Sequence, residues 1–368
     1  MKIVRIEVYH LKIKLKKPFV ISLGRMDYAD NIIVVIRTDT GITGFGECSP
    51  FMTINGENHE TAFVVARYTG RILLGQNPAD IAGCSRLMDS VIHGNTSIKS
   101  AFDIALYDIA SQEAGVPLFA YLGGVDSRVL VTDFTVSLGT PENMAADALR
   151  IKEDGYPVIK VKLGGSVQED ITRVRLIRDS VGSIIPLRLD ANQGWDPISA
   201  RRILNVFSDM NVQFCEEPIP RWDFMALPGL RADSPVPVMA DESCLDHHDA
   251  QRLIDINACD YINVKLGKSS GIFKALKIAG IAGEAGIKMQ VGGFLESKIG
   301  FTASAHLALA TENVVFCDFD SPLLFCDDPV KGGISYLPGG VVRVPHVPGL
   351  GASVDQNYLD KLEKIIIA

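Results

Sequence analysis

The sequence predicts an α/β protein in which an N-terminal α+β unit precedes a parallel eight-stranded barrel. Residues 1–52 read as strands and turns, and residues 58–122 read as helices. Strands followed by helices, without alternation, indicate α+β. From about residue 130, β-rich runs and amphipathic helices alternate with a period of about 25 residues, as a barrel of eight βα units requires. An open doubly wound sheet is the alternative. No GxGxxG phosphate loop opens its first unit, which weighs against it.

The first run, MKIVRIEVYHLKIKLKKPF, alternates apolar and polar residues and reads as a strand, not as the apolar core of a signal peptide. NIIVVIRTDTG and ITGFGECSP follow, punctuated by Gly41, Gly44 and Gly46. SIKSAFDIALYDIASQEAG has helical spacing and stops at Gly115, before Pro117. The eight barrel strands are expected in VTDFTVSLG, PVIKVKLG, IPLRLDANQG, VQFCEEPIP, VPVMADES, DYINVKLG, IKMQVGGFLES and VVFCDFDSPL. Their helices include PENMAADALRIKEDG, SVQEDITRVRLIRDSVG and SSGIFKALKIAGIAGEAG. Beyond residue 338 the chain is rich in Pro and Gly. It is expected to end in a short helix, NYLDKLEKIII, packed back on the first domain.

Composition narrows the function classes. A length of 368 residues exceeds one small core and suits two domains. The hydrophobic share of 47% and charged share of 22% are those of an ordinary soluble globular protein. No apolar run approaches the roughly 18 residues of a membrane span, so no membrane partner is expected. Net charge is −8, and the densest basic run, Lys12, Lys14, Lys16 and Lys17, is explained by strand alternation as a solvated face. No nucleic-acid partner is therefore expected. The seven cysteines are scattered, odd in number and without a CxxC pair, which reads as reduced thiols in a cytoplasmic protein. A homo-oligomer is compatible with the sequence.

Barrel enzymes carry their chemistry at the C-terminal ends of strands. There the sequence places Lys160 and Lys162 on the second strand, Asp190 on the third, Glu216 on the fourth, Asp241 on the fifth and Lys265 on the sixth. Asp318 and Asp320 stand on the eighth. One such acid alone reads as a helix cap or a surface ion pair. Three converging from successive strands repel, and need a cation. Oxygen ligands with room for water suit Mg²⁺, one per subunit. Lys160 and Lys162 are two residues apart and share a face. With Ile159 and Val161 on the other face, both lysines are expected to point inward. Lys265 lies across the barrel, where a cation and a second lysine would lower its pKa and make it a usable base.

This set, KxK then Asp, Glu, Asp and Lys, resembles the muconate-lactonizing-enzyme subgroup of the enolase superfamily. The likeness spans nearly the whole chain and includes ALYDIASQEAGVPLFAYLGG, LRLDANQGW, EEP, MADES and INVKLGKSSGI. It implies a modified (β/α)7β TIM-type barrel at 126–338 and a capping α+β domain at 1–125, joined by the tail 339–368. It also implies that Lys162 and Lys265 are the catalytic bases, one on each face of the substrate. Asp190, Glu216 and Asp241 become the metal ligands, and Lys160 supplies charge beside them. The expected reaction removes and returns the α-proton next to a carboxylate through an enediolate, inverting the carbon.

Within the subgroup, CDFDSPL resembles the DxD motif of dipeptide epimerases, in which Asp318 and Asp320 would receive the substrate's free ammonium group. The alternative is that they cap the next helix. Family members acting on L-Ala-D/L-Glu carry an arginine in the loop after the first strand. The matching position here is Gly24, followed by Arg25, so a dipeptide of Ala with a small or apolar second residue, such as Ala-Ala, is expected. The segments KPFVISLGRMD and PFMTINGEN are expected to read that second side chain. Thr135, Glu296, Gly24 and Arg25 join the substrate-binding candidates, with Asn192, Ser297, Lys298 and Lys268 as weaker ones. Glu217 reads as a tolerated variant of a common glutamine, and His306 as a core histidine. L-Ala-D/L-Glu epimerase, N-succinylamino acid racemase, o-succinylbenzoate synthase and muconate cycloisomerase are the alternatives on the same scaffold. A non-catalytic binding barrel is the alternative of another class.

Overall fold

The computed structural model describes residues 1–368. Its N-terminal layer is a four-stranded antiparallel sheet built on β1 (Ile3–Ile21), β2 (Gly24–Thr38) and β3 (Thr43–Cys48). In β1 the residues Ile13 and Leu15 are buried while Lys12, Lys14 and Lys16 are exposed, so the basic run is the solvated face of a strand. The β1–β2 register shifts between Lys14 and Phe19, and beyond that bulge the ribbon tip reaches over the barrel mouth. There Ser137 Oγ lies 2.7 Å from Val20 N, and Ser22 Oγ donates to Asn192 O at 2.7 Å.

Two helices pack on this sheet, α1 (His59–Leu73) and α3 (Thr96–Glu113), and α2 (Ile81–Val91) packs against both of them. Asn58 and Thr61 close a capping box on α1. α3 is buried almost all round, and two glycines of β3 let it come close. A Cβ on Gly46 would stand 1.9 Å from Ala101 O, and one on Gly44 would stand 2.2 Å from Ala105 O.

Eight parallel strands form the second layer: Phe134–Val136, Ile159–Lys162, Leu187–Asp190, Val212–Glu216, Val238–Ala240, Tyr261–Lys265, Lys288–Gly292 and Val314–Cys317. A parallel bridge from Thr132 to Cys317 closes the ring. Helical segments follow each of the first seven strands, whereas the eighth leads only into a 3₁₀ turn, Ser321–Leu324, so the architecture is (β/α)7β. The barrel floor is filled by Arg188, which pairs with Asp133 at 2.7 Å and lies over the rings of Phe316 and Phe214. Ninety-seven buried apolar residues form one cluster through both layers, so the cap is packed on the barrel rather than tethered to it.

The C-terminus departs from expectation. Helix is confined to one turn, Gln356–Leu359, and Lys364–Ile367 is a strand pairing antiparallel with β1. Ile365, Ile366 and Ile367 are β-branched, and the free edge of β1 offers them a ladder that an isolated short helix lacks. All seven cysteines are free, six of them buried. No helix is long and apolar enough to cross a membrane.

Candidate active site

Strand register sets the site. Lys162 pairs with Asp190, and Asp190 with Glu216, across three neighbouring strands, which places their side chains side by side at the barrel mouth. Asp190, Glu216 and Asp241 are fully buried. Burial, and then the charge of Asp190, pushes the Glu216 carboxyl above its ordinary range. Asn263 Nδ2 donates to Glu216 Oε1 at 2.7 Å and holds its plane.

Four ammonium groups surround these acids. Lys162 Nζ lies 2.5 Å from Asp190 Oδ2, and Lys265 Nζ 2.6 Å from Asp241 Oδ2. Lys160 reaches Glu216 at 2.8 Å and Asp190 at 3.3 Å. Burial disfavours the charged form of Lys265, but Asp241 and Glu216 outweigh burial and hold its pKa above the usual lysine range. The carboxylates face the lysine directly, which is why their charge outweighs its burial.

Asp318 and Asp320 follow the last barrel strand and face the same cavity. Asp318 Oδ2 accepts from Lys160 at 2.7 Å, and Asp320 Oδ2 accepts from the Thr135 amide at 2.6 Å. Burial, then the charge of Asp318, raises Asp320 to about 6. Neither acid caps a helix through a side-chain bond.

The cavity brings together Lys162, Lys265, Asn192, Thr135, Asp318 and Asp320. Its roof is apolar: Phe19 and Ile21 from the ribbon tip, and Phe51 and Ile54 from the segment between β3 and α1. Phe294 closes the side, its ring 5.2 Å from Lys265 Nζ. These five apolar residues were not singled out in the sequence. Both segments were, and the two-residue spacing of Phe19 and Ile21 on a strand marks one shared face.

Several candidates lie elsewhere. Gly24 and Arg25 sit on the outer side of the ribbon tip, where Arg25 is exposed and pairs with Asp27 at 2.8 Å, so neither lines the cavity. Lys160 lies beneath the cavity floor, fully buried. Glu296 stands behind Phe294, whose amide it accepts at 2.6 Å; burial, then the charge of Glu47, raises it to about 7. Ser297 caps the helix Lys298–Ala310, and Lys298 pairs with Asp328 at 2.6 Å. Lys268 is buried rather than at the rim, and it braces Asp241 Oδ1 at 2.8 Å and three backbone carbonyls. Glu217 accepts the Asp241 amide at 2.7 Å and the Ser243 amide at 3.2 Å, so it orders the Asp241 turn. His306 is a core residue with both ring nitrogens paired.

Two further acids escaped the sequence reading. Glu47 of β3 accepts from Ser297 and Gly300 of the barrel and from Asn31 of the cap, fastening the two layers beside the site. Glu242 is buried next to Asp241 and accepts from Asn192 at 3.2 Å.

As a donor set, three buried carboxylates from adjacent strands suit a hard divalent cation such as Mg²⁺. Flanking them with two lysines, and setting two further acids apart, gives a site for a substrate bearing both a carboxylate and an amine.

Comparison with known proteins agrees. Residues 3–123 match the mandelate racemase/muconate lactonizing enzyme N-terminal domain, and residues 143–358 match the enolase C-terminal domain-like model. The chain belongs to the mandelate racemase/muconate lactonizing enzyme family. It is 51% identical to a D-Ala-D/L-Ala epimerase of Cytophaga hutchinsonii over 100% of both chains. It is 38% identical to a hydrophobic dipeptide epimerase of Enterococcus faecalis, over 96% of this chain and 100% of the other. The crystal structure of the Cytophaga hutchinsonii dipeptide epimerase with Mg and D-Ala-L-Val superposes with a TM-score of 0.99 at 51% identity, covering 100% of both chains.

Proposed function

We propose that the chain is a Mg²⁺-dependent dipeptide epimerase that inverts the α-carbon beside the free carboxylate of an Ala-Xaa dipeptide with a small or apolar second residue. The observation that carries this reading is one cavity holding Lys162 and Lys265 beside the acid cluster, Asp318 and Asp320 apart from it, and an apolar roof. The names of the relatives in Cytophaga hutchinsonii and Enterococcus faecalis support the substrate class.

Asp190, Glu216 and Asp241 would hold the ion. When bound, Mg²⁺ supplies positive charge to the substrate carboxylate as the α-proton leaves. Lys162, from the second strand, and Lys265, from the sixth, approach that carbon from opposite sides. One takes the proton, and the other returns one from the opposite face. A bound divalent cation beside Lys265 would disfavour its charged form and so favour its action as a base.

Asp318 and Asp320 receive the α-ammonium group, with Asp320 oriented by Thr135 and Asp318 by Lys160. Phe19, Ile21, Phe51 and Ile54 exclude water and leave an acidic second side chain without a cationic partner. This favours Ala-Ala over Ala-Glu. Division at residue 125, a cytoplasmic location and the absence of nucleic-acid or membrane partners complete the reading.

The test compares Ala-Ala, Ala-Glu, an N-succinylamino acid and N-acetyl-Ala-Ala on one preparation. The reading predicts turnover in that order, with the blocked compounds last. Preferential turnover of the N-succinylamino acid would instead make the chain an N-succinylamino acid racemase.

A further inference from the structure

We propose that His10, Asp30 and His59 form a second metal site in the cap, suited to a transition ion such as Zn²⁺. The three come from β1, β2 and the first residue of α1, and their ligand atoms all lie within 4.8 Å of one another. Tetrahedral zinc sets such atoms about 3.3 Å apart, which side-chain rotation would supply. His10 Nε2 faces Asp30 Oδ1, and His59 Nδ1 lies 3.1 Å from Asp30 Oδ2. The three side chains stay partly exposed, at 15% for His10, 25% for His59 and 42% for Asp30, which leaves a fourth position for water.

The outer ring nitrogens point to the same conclusion independently. His10 Nδ1 stands 3.7 Å from Glu363 Oε2, and His59 Nε2 stands 3.4 Å from Glu60 Oε1. Each imidazole thus has Asp30 on one nitrogen and a glutamate on the other. Metal-bound histidines commonly donate the outer N–H to a carboxylate, and these two exposed glutamates stand near enough to rotate into that role. The rings are stacked with centroids 4.1 Å apart and planes 5° apart, so one imidazole rotates out of the stack for both in-plane lone pairs to meet on one ion. Carboxylate with imidazole favours zinc-like ions, whereas the all-oxygen set in the barrel favours Mg²⁺.

The position also gives the ion a role. It would pin the start of α1 to the β1–β2 ribbon, and these are the two parts of the cap that carry Phe51 and Ile54, and Phe19 and Ile21. The roof of the substrate cavity would be stiffened from outside.

The experiment uses tag-free, full-length protein with saturating Mg²⁺, titrated with Co²⁺ and then dialysed. A retained equivalent of Co²⁺ with the strong visible absorption of a four- or five-coordinate site is expected, displaced by Zn²⁺ with a rise in Tm. His10→Ala and His59→Ala lose that equivalent and the Tm rise but keep their Mg²⁺-dependent turnover. In wild-type protein, Zn²⁺ shifts the imidazole resonances of His10 and His59 and leaves the other histidines unmoved, a readout that does not depend on the variants folding. Wild-type protein that retains no Co²⁺ overturns the proposal, as does an extra equivalent that survives in both variants.

Discussion

Lys160 Nζ lies 2.7 Å from Asp318 Oδ2, and the same ammonium reaches Glu216 and Asp190. One buried cation therefore joins the acid proposed to receive the substrate amine to the acids proposed to hold the metal. Lys160→Met leaves three buried carboxylates short of a partner. A loss of about 3–5 kcal/mol is expected in chelator, since a buried charge is left uncompensated. Mg²⁺ replaces part of the missing charge, so it stabilises the variant more than the wild type. Urea unfolding with EDTA and with Mg²⁺ measures this; equal Mg²⁺ increments in both proteins would contradict it.

Asp190→Asn, Glu216→Gln and Asp241→Asn each remove one of the carboxylates proposed to hold Mg²⁺. Each should lower kcat by roughly two to three orders of magnitude, as loss of a transition-state charge stabiliser does. Exhaustive chelation of the wild type should abolish turnover, and Mg²⁺ should restore it.

Asp320 is held by Thr135 and set apart from the metal ligands, so Asp320→Asn should spare Mg²⁺ affinity and damage substrate recognition. Losing the charged partner costs about 3–5 kcal/mol. At 1.36 kcal/mol per tenfold, that is roughly a hundredfold or more in kcat/KM. N-acetylation of the dipeptide should cost about as much. Because Asp320 is raised to about 6, wild-type kcat/KM should fall as pH drops through that value.

His306 provides a pH test of stability. Burial lowers it to about 4, against an unfolded value near 6.5; its Nδ1 accepts the Phe119 amide, and its Nε2 donates to Leu350 O. The unfolded chain therefore takes up a proton first as pH falls. Stability from this group is full above pH 6.5 and is lost between 6.5 and 4, by about 3 kcal/mol at 1.36 kcal/mol per pKa unit. His306→Gln should flatten that part of the unfolding profile.

The strand-end acids and lysines were legible in the sequence because strand alternation and barrel geometry fix where such side chains go. Lys162, Lys265, Asp190, Glu216 and Asp241 meet on that account. Residues placed by tertiary contact were not legible. Arg25 was set in a specificity loop, but the bulge before Phe19 and the tight turn at Gly24 direct it outward to Asp27. Glu47 carries no local signal, since its barrel partners lie some 250 residues away. The tail, expected as a helix, is instead a strand over its isoleucines, because the free edge of β1 claims them.

The central claim is proton transfer at one carbon by two lysines on opposite faces. The most direct measurement incubates each diastereomer of Ala-Ala with Mg²⁺ in deuterated water and follows the α-carbon next to the carboxylate by NMR. Wild-type enzyme should place deuterium at that carbon as it inverts. Lys162→Ala and Lys265→Ala should both stop inversion, while each still exchanges the α-proton of one diastereomer, the opposite one in each variant. Inversion at the wild-type rate in either variant, or inversion without deuterium uptake, would contradict the account.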